Sequence, residues 1–109
     1  MNPPKIEVVN IYHGYKKNPA EGNYYIGRGS PVGNPFKVSD LGRGNCIAPF
    51  KEWLHEQILA GSPQLVDYIN EIMEASMTRP DGVRLVCFCK PKACHGDVIK
   101  EMIEMLAAG

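Results

Sequence analysis

The hydrophobic pattern predicts two strands near the ends of the chain and a shorter one between them. Residues 6–12, IEVVNIY, are rich in β-branched side chains and too short for a helix, and residues 83–88, VRLVCF, are a similar apolar run. Residues 23–27, NYYIG, predict a short strand that glycine ends. The two longer runs do not alternate cleanly, which is typical of strands covered on both faces.

Three later segments have apolar residues at the spacing of an amphipathic helix. The first begins near residue 47 and ends at Gly61. The second begins after Ser62, the predicted N-cap, with Pro63 at its first position. The third begins at about Asp97, which the pattern makes an N-cap. The residues expected to face the core are Phe50, Trp53, Leu54, Gln57, Ile58, Leu65, Ile69, Ile72, Met73, Val98, Ile99, Met102, Ile103 and Leu106.

This order of elements predicts the α/β class, with residues 1–109 as one domain. We expect a small sandwich with a short, mainly parallel, Rossmann-like sheet and helices packed on it. Strands 6–12 and 83–88 are expected to be adjacent and parallel. In open α/β sheets ligands bind beyond the carboxyl ends of the strands, so the loops after residues 12, 27 and 88 are where a site is expected.

Composition narrows the class of protein. Hydrophobic content of 44% and charge of 22% are those of a globular domain, and no apolar stretch approaches the roughly 20 residues that span a membrane. The N-terminus lacks the apolar core of a signal peptide, so we expect the cytoplasm, or the host cytoplasm if a phage encodes the chain. The net charge of zero speaks against a general nucleic-acid binder.

The charge is unevenly distributed along the chain. Residues 12–46 carry five basic residues against two acidic ones, and residues 83–100 carry four against one, a balance of +3 in each. Both segments cover loops at which a ligand is expected, which predicts an anion site. Loops that are basic by chance are the alternative.

A glycine-rich stretch follows the second strand. Residues 27–36, GRGSPVGNPF, contain three glycines and two prolines, so they predict an irregular loop. The stretch matches neither a P-loop nor the Rossmann fingerprint, and a glycine-rich turn without function is the alternative. The residues predicted to bind a ligand here are Gly27, Arg28, Gly29, Ser30, Gly33 and Asn34.

Residues 84–102, RLVCFCKPKACHGDVIKEM, hold a cluster of thiols. Four cysteines in a cytoplasmic chain favour thiols or metal ligands over disulfides. A zinc site would use Cys87, Cys89, Cys94 and His95. The spacing is more local than in most zinc sites, so our main prediction is that no metal binds. Cys87 is then a small buried strand residue.

The same loop predicts a reactive thiol. Cys94 precedes a helix, where the helix dipole and nearby cations favour the thiolate, so we predict it as the nucleophile. His95 is the predicted acid or base, and Asp97 orients the histidine or holds a ribose hydroxyl. Lys90 and Gly96 are predicted to bind the ligand. Tyrosine-phosphatase chemistry is disfavoured, because no arginine follows a cysteine at six positions.

Several of these motifs together resemble a phage and bacterial family known as domain of unknown function 4326. The shared motifs are Gly27-Arg28, Gly33-Asn34-Pro35-Phe36, the helix with Phe50 and Trp53-Leu54, and the C-x-C-x4-C-H-G-D signature from Cys87 to Asp97. The resemblance spans about residues 6–106. This chain has Val32 where the family often has tryptophan. The resemblance implies phage origin and supplies no substrate.

These observations predict a phage-type protein that binds or processes a nucleotide, nucleoside or similar phosphorylated small molecule through the 27–36 and 89–97 loops. Whether it is an enzyme stays open. The first alternative is a non-catalytic phage accessory protein that sequesters a host nucleotide signal or binds a host protein. The second is a small zinc-binding module. The methionines at helical spacing are expected in the core, or in an exposed stripe that forms a homodimer contact.

Overall fold

Helices and parallel strands make up most of the part of the chain that the structure, a computed structural model, describes. That part comprises residues 3–15, 17–27, 29–33, 35, 47–87 and 95–108. In chain order its strands and α-helices are β1 (Ile6–Asn10), β2 (Asn23–Tyr25), α1 (Ile47–Ala60), α2 (Pro63–Thr78), β3 (Val83–Cys87) and α3 (His95–Ala108). The predicted α/β class is confirmed.

The strands form a parallel sheet with β3 in the centre. The order is β1-β3-β2, and β3 pairs in parallel with both neighbours. The predicted adjacency of the first and last strands is therefore confirmed. Because all strands run the same way, Asn10, Tyr25 and Cys87 end β1, β2 and β3 on the same side, which we call the carboxyl edge.

Both faces of the central strand are covered, as its continuous apolar sequence predicts. Val83, Leu85 and Cys87 belong to the main core cluster, which they share with the helices. Val86 points to the opposite face, because side chains alternate along a strand, and it is also fully buried. On that second face Arg84 donates to the Glu21 carbonyl at 2.6 Å and to the Asn23 side chain.

The helices contribute most of the predicted core residues. The buried ones are Phe50, Leu54, Leu65, Ile69, Ile72, Val98, Ile99, Met102 and Ile103. The prediction for Leu106 is wrong, because this residue lies near the end of α3 and is 41% exposed. Met105 is exposed as well. None of the helices within the described residues is long and apolar enough to cross a bilayer.

Side-chain hydrogen bonds shorten the first strand relative to its apolar run. The Asn10 side chain accepts from the Tyr12 backbone N–H at 2.8 Å, and the chain turns into a 3-10 helix at Ile11–His13. An asparagine that satisfies a nearby N–H in this way competes with the strand ladder. β1 therefore ends at Asn10, two residues before the predicted end.

Two helix starts differ in detail from the prediction. α2 begins at Pro63 as expected, but the Ser62 hydroxyl makes no cap and instead donates to the Gln57 side chain at 2.6 Å. α3 begins at His95, two residues early, so Asp97 lies in its first turn and is not the N-cap. Burial of the His95 ring outweighs the poor helix propensity of Gly96.

Candidate functional site

The starts of all the described α-helices gather at the carboxyl edge of the sheet. The Tyr68 hydroxyl, near the start of α2, donates to the Tyr25 carbonyl at 2.6 Å. His95, the first residue of α3, contacts Ile26 just beyond β2 and also Phe50 in the first turn of α1. The dipole of a helix places partial positive charge at its start, so this edge favours anions.

His95 joins the glycine-rich loop to α3. Its Nε2 atom lies 2.6 Å from the Ile26 carbonyl oxygen, and its ring packs edge-on against Phe50 with 5.1 Å between the ring centroids. A carbonyl oxygen can only accept, so Nε2 carries the proton and donates it. The side chain is buried, which makes loss of this bond costly. The predicted acid–base residue therefore also positions the loop that starts at Gly27.

The described part of the glycine-rich loop consists of two successive turns. Both the backbone N–H and the hydroxyl of Ser30 donate to the Gly27 carbonyl, at 3.1 and 2.7 Å, and Gly33 N–H donates to the Ser30 carbonyl at 3.0 Å. Gly29 has φ +92°, a conformation that favours glycine, and among the described residues no atom lies within 4 Å of the place of a Cβ there. Val32 is fully buried and attaches the loop to the core. The loop is thus fixed at both ends and open at Gly29.

A side chain at Gly27 would displace the Tyr25 ring. A Cβ at this position would lie 2.6 Å from Cζ of the Tyr25 ring, closer than any van der Waals contact allows. The Lys17 ammonium lies 3.9 Å from the centroid of the same ring. Glycine therefore lets the chain turn sharply out of β2 beneath an aromatic ring.

Burial and charge change the acidity of Tyr68 at the base of this edge. Desolvation by burial raises the pKa of the Tyr68 hydroxyl to about 12, and the nearby Glu71 carboxylate adds to the effect. The hydroxyl thus stays protonated at neutral pH and donates to the end of β2. It supports the loop and does not act as a base.

The described cysteine of the cluster, Cys87, lies inside the core. Cys87 is fully buried, and its thiol donates to the Val9 carbonyl at 3.4 Å, as expected for a small core residue. Among the residues that the structure describes, no group of three His, Cys, Asp or Glu side chains is placed to hold a metal ion. Cys89 and Cys94, the other thiols of the zinc hypothesis, lie outside the described residues.

The structure places part of the predicted site. Gly27, which follows Ile26 directly, is brought to the start of α3, where Gly96 is buried and Asp97 is exposed in the first turn. The predicted site residues that lie outside the described ranges are Arg28, Asn34, Lys90 and Cys94. The start of the glycine-rich loop and the first turn of α3 therefore meet at one edge, whereas the roles of the individual side chains stay predictions.

Comparison with known proteins identifies the family. Residues 9–105 match the family described as "Domain of unknown function (DUF4326)". The chain belongs to this family. The DUF4326 chain is 35% identical over 81 residues to an uncharacterized 12.4 kDa protein in the nrdA-td intergenic region of Enterobacteria phage T4, an alignment that covers 74% of this chain and 67% of the phage protein. No solved structure matches it.

The resemblance inferred from the motifs is confirmed, and the structure shows what the aromatic motif of DUF4326 does in this chain. Phe50 supports His95, and Trp53 packs beside Phe50 with 5.7 Å between the ring centroids. Val32 is fully buried in the core and has no surface on which a ligand can stack.

Sequence reasoning missed three groups at the carboxyl edge of this DUF4326 domain. They are the Ile26 carbonyl, the Tyr25 ring and the Phe50 ring, which position His95 and Gly27. A backbone carbonyl leaves no signal in a sequence. The aromatic positions were visible as strand and helix residues, but only their partners across the fold show that they support the loop.

Proposed function

We propose that this DUF4326 domain binds a nucleotide, nucleoside or similar phosphorylated small molecule at the carboxyl edge, between the loop that starts at Gly27 and the first turn of α3. The single observation that carries the proposal is the hydrogen bond from His95 to the Ile26 carbonyl. It connects the residue before the glycine-rich loop to the first turn of α3, at the edge where parallel α/β sheets hold ligands.

The backbone at this edge supports recognition of an anion. The dipole of α3 adds partial positive charge at the start of the helix, which faces this edge. The open space at Gly29 allows a phosphate to approach the loop backbone. In the proposal Arg28 and Lys90 add full positive charge, and Asn34 hydrogen-bonds the base or sugar.

A catalytic version assigns reactive roles to the signature at the start of α3. Cys94 then acts as the nucleophile, His95 as acid or base, and Asp97 as a polar ligand group. The second candidate is a non-catalytic domain that sequesters a nucleotide. One observation favours it: Nε2 of His95 already donates to a carbonyl, so this nitrogen supports the loop and does not exchange a proton with the ligand.

The test is a thermal-shift and calorimetry series with inorganic phosphate, the four ribonucleosides and their 5′-mono- and triphosphates. A phosphorylated ligand that binds the folded state raises Tm by mass action, and the preferred one identifies the class. Gly29→Ala should weaken its binding, because the added methyl occupies the open approach. Gly14→Ala is the matched control, since Gly14 also has φ +92° and open space around it.

Both glycine substitutions carry a similar conformational cost, so a comparison of their ligand affinities removes that cost. The proposal is contradicted if no phosphorylated ligand raises Tm, or if both variants lose affinity equally. Turnover of the bound ligand, followed by product analysis, then separates the two candidates. A Cys94→Ser variant that binds normally but lacks turnover supports the catalytic one.

A further inference from the structure

A groove opens beside the glycine-rich loop, on the side where α1 meets α2. Its volume is about 410 Å³, and we call it the Trp53 groove. The described residues that line it are Pro31, Trp53, Gln57 and the segment 62–65. Pockets for small molecules are about 300–1,000 Å³, so the groove is large enough for part of a ligand.

The groove is continuous with the proposed anion site. Pro31 lies only two residues after Gly29, and two residues span at most about 7 Å. The first turn of α1 contacts His95 through Phe50, and only Gly61 and Ser62 separate the end of α1 from the start of α2. A molecule with its phosphate near Gly29 therefore reaches the groove without leaving the carboxyl edge.

The chemistry of the groove differs from that of the anion site. Among the described residues that line it there is no charged side chain, whereas apolar surface comes from Pro31, Trp53 and Leu65. The Trp53 indole packs beside Phe50 and is only partly buried, so its remaining surface faces the groove. A flat apolar wall of this kind suits an uncharged aromatic ring.

Polar groups in the groove can form hydrogen bonds with the edge of such a ring. The Gln57 amide is oriented by the Ser62 hydroxyl, which donates to its Oε1 atom at 2.6 Å. Gln64 supplies a second amide at the exposed rim. Amides both donate and accept, as the edges of nucleobases do. A phosphate would use only the amides, and a purely apolar group would use only the Trp53 wall. A nucleobase uses both.

We propose that the Trp53 groove binds the base of the nucleotide, stacked on Trp53 and hydrogen-bonded by Gln57 and Gln64. This inference rests on the proposed function, since it assigns the second half of the same ligand. The phosphate occupies the loop and the start of α3. The base extends over Pro31 into the groove.

The chain offers a direct reporter, because Trp53 is its only tryptophan. Its emission is measured during titration with adenosine, guanosine, cytidine and uridine, their 5′-monophosphates, and inorganic phosphate. Free tryptophan amide corrects for light absorbed by the bases. We expect saturable quenching by the preferred nucleotide and its nucleoside, whereas inorganic phosphate raises Tm without changing the emission.

Variants test the groove independently of fluorescence. Trp53→Leu should weaken nucleotide binding about tenfold, the scale of base–aromatic stacking, and leave phosphate binding unchanged. Gln64→Ala keeps the reporter and should weaken nucleotide binding several-fold. Asn70→Ala, an exposed amide on α2 away from the groove, is the matched control. If Trp53→Leu does not fold, the nucleotide affinity of Gln64→Ala and the fluorescence titration of the wild type still test the groove.

The outcomes separate the two proposals. Nucleotides that raise Tm without changing Trp53 emission, with wild-type affinity in both groove variants, would overturn the groove and leave the proposed function standing. Quenching by nucleosides with no gain from a phosphate would support the groove and overturn the anion site. Emission that changes with protein concentration alone would make the groove a contact between copies and overturn its role as base site. No binding at all would overturn both.

Discussion

The Nε2 atom of His95, in the first turn of α3, lies 2.6 Å from the carbonyl oxygen of Ile26, just beyond β2. These residues are 69 positions apart in the chain. The bond joins two segments that begin at the carboxyl ends of neighbouring strands, β2 and β3. Because the ring is buried and also packs on Phe50, the start of α3, the loop and α1 form one unit.

His95→Ala should destabilise the fold by about 1–3 kcal/mol, because it leaves the Ile26 carbonyl without its donor in a buried site. Urea denaturation measures the free energy of unfolding. His55→Ala is the matched control, since His55 is exposed on α1 and its loss should change stability by less than about 0.5 kcal/mol. Equal effects of the two substitutions would show that the His95 bond contributes nothing.

Gly27→Ala should destabilise the fold by about 1–3 kcal/mol, because its methyl overlaps the Tyr25 ring. The same substitution should cost much less in a Tyr25→Ala background, where the obstacle is gone. A double-mutant cycle of unfolding free energies measures this coupling. Additive effects would contradict the steric explanation and indicate a backbone requirement at Gly27.

Stability should fall as pH rises from about 10 to about 12, and Tyr68 should account for part of the fall. The pKa of Tyr68 is 10.0 for the ordinary side chain and about 12 in the fold. Between these values the unfolded chain has lost the proton and the folded chain still holds it, so alkali favours unfolding. The contribution of Tyr68 is fully present below pH 10.

Tyr68→Phe tests this pH dependence. The variant should be about 1 kcal/mol less stable at neutral pH, because the Tyr25 carbonyl loses its donor, but its stability should fall less steeply in alkali. Urea denaturation at a series of pH values measures both effects. Parallel curves for the variant and the wild type would show that Tyr68 ionises normally in the fold.

Cys87 should resist alkylation in the native protein, because its thiol is fully buried and hydrogen-bonded to Val9. Iodoacetamide labelling with peptide mass spectrometry, with and without urea, measures each cysteine separately. If Cys94 is the activated thiol of the catalytic candidate, it should react faster in the native protein than in urea. Rapid native labelling of Cys87 would contradict its burial.

Local patterns of the sequence determined which elements form and in what order. Apolar runs predicted β1 and β3, and helical spacing predicted the three α-helices found among the described residues. Pro63 predicted the start of α2. These features depend on neighbours along the chain, so they are readable without a fold. The parallel pairing of β1 with β3 also followed, because apolar strands joined through helices favour it.

Only the tertiary structure decided the ends of elements and the geometry of the candidate site. α3 starts at His95, whose ring contacts Ile26 and Phe50, and the Tyr25 ring occupies the space that a side chain at Gly27 would need. Each relationship joins groups whose partners are set by the packing of the sheet and helices. The Trp53 groove likewise exists only where a loop residue, Pro31, meets two helices. Residue types predict chemistry, whereas distances between distant segments decide where that chemistry is assembled.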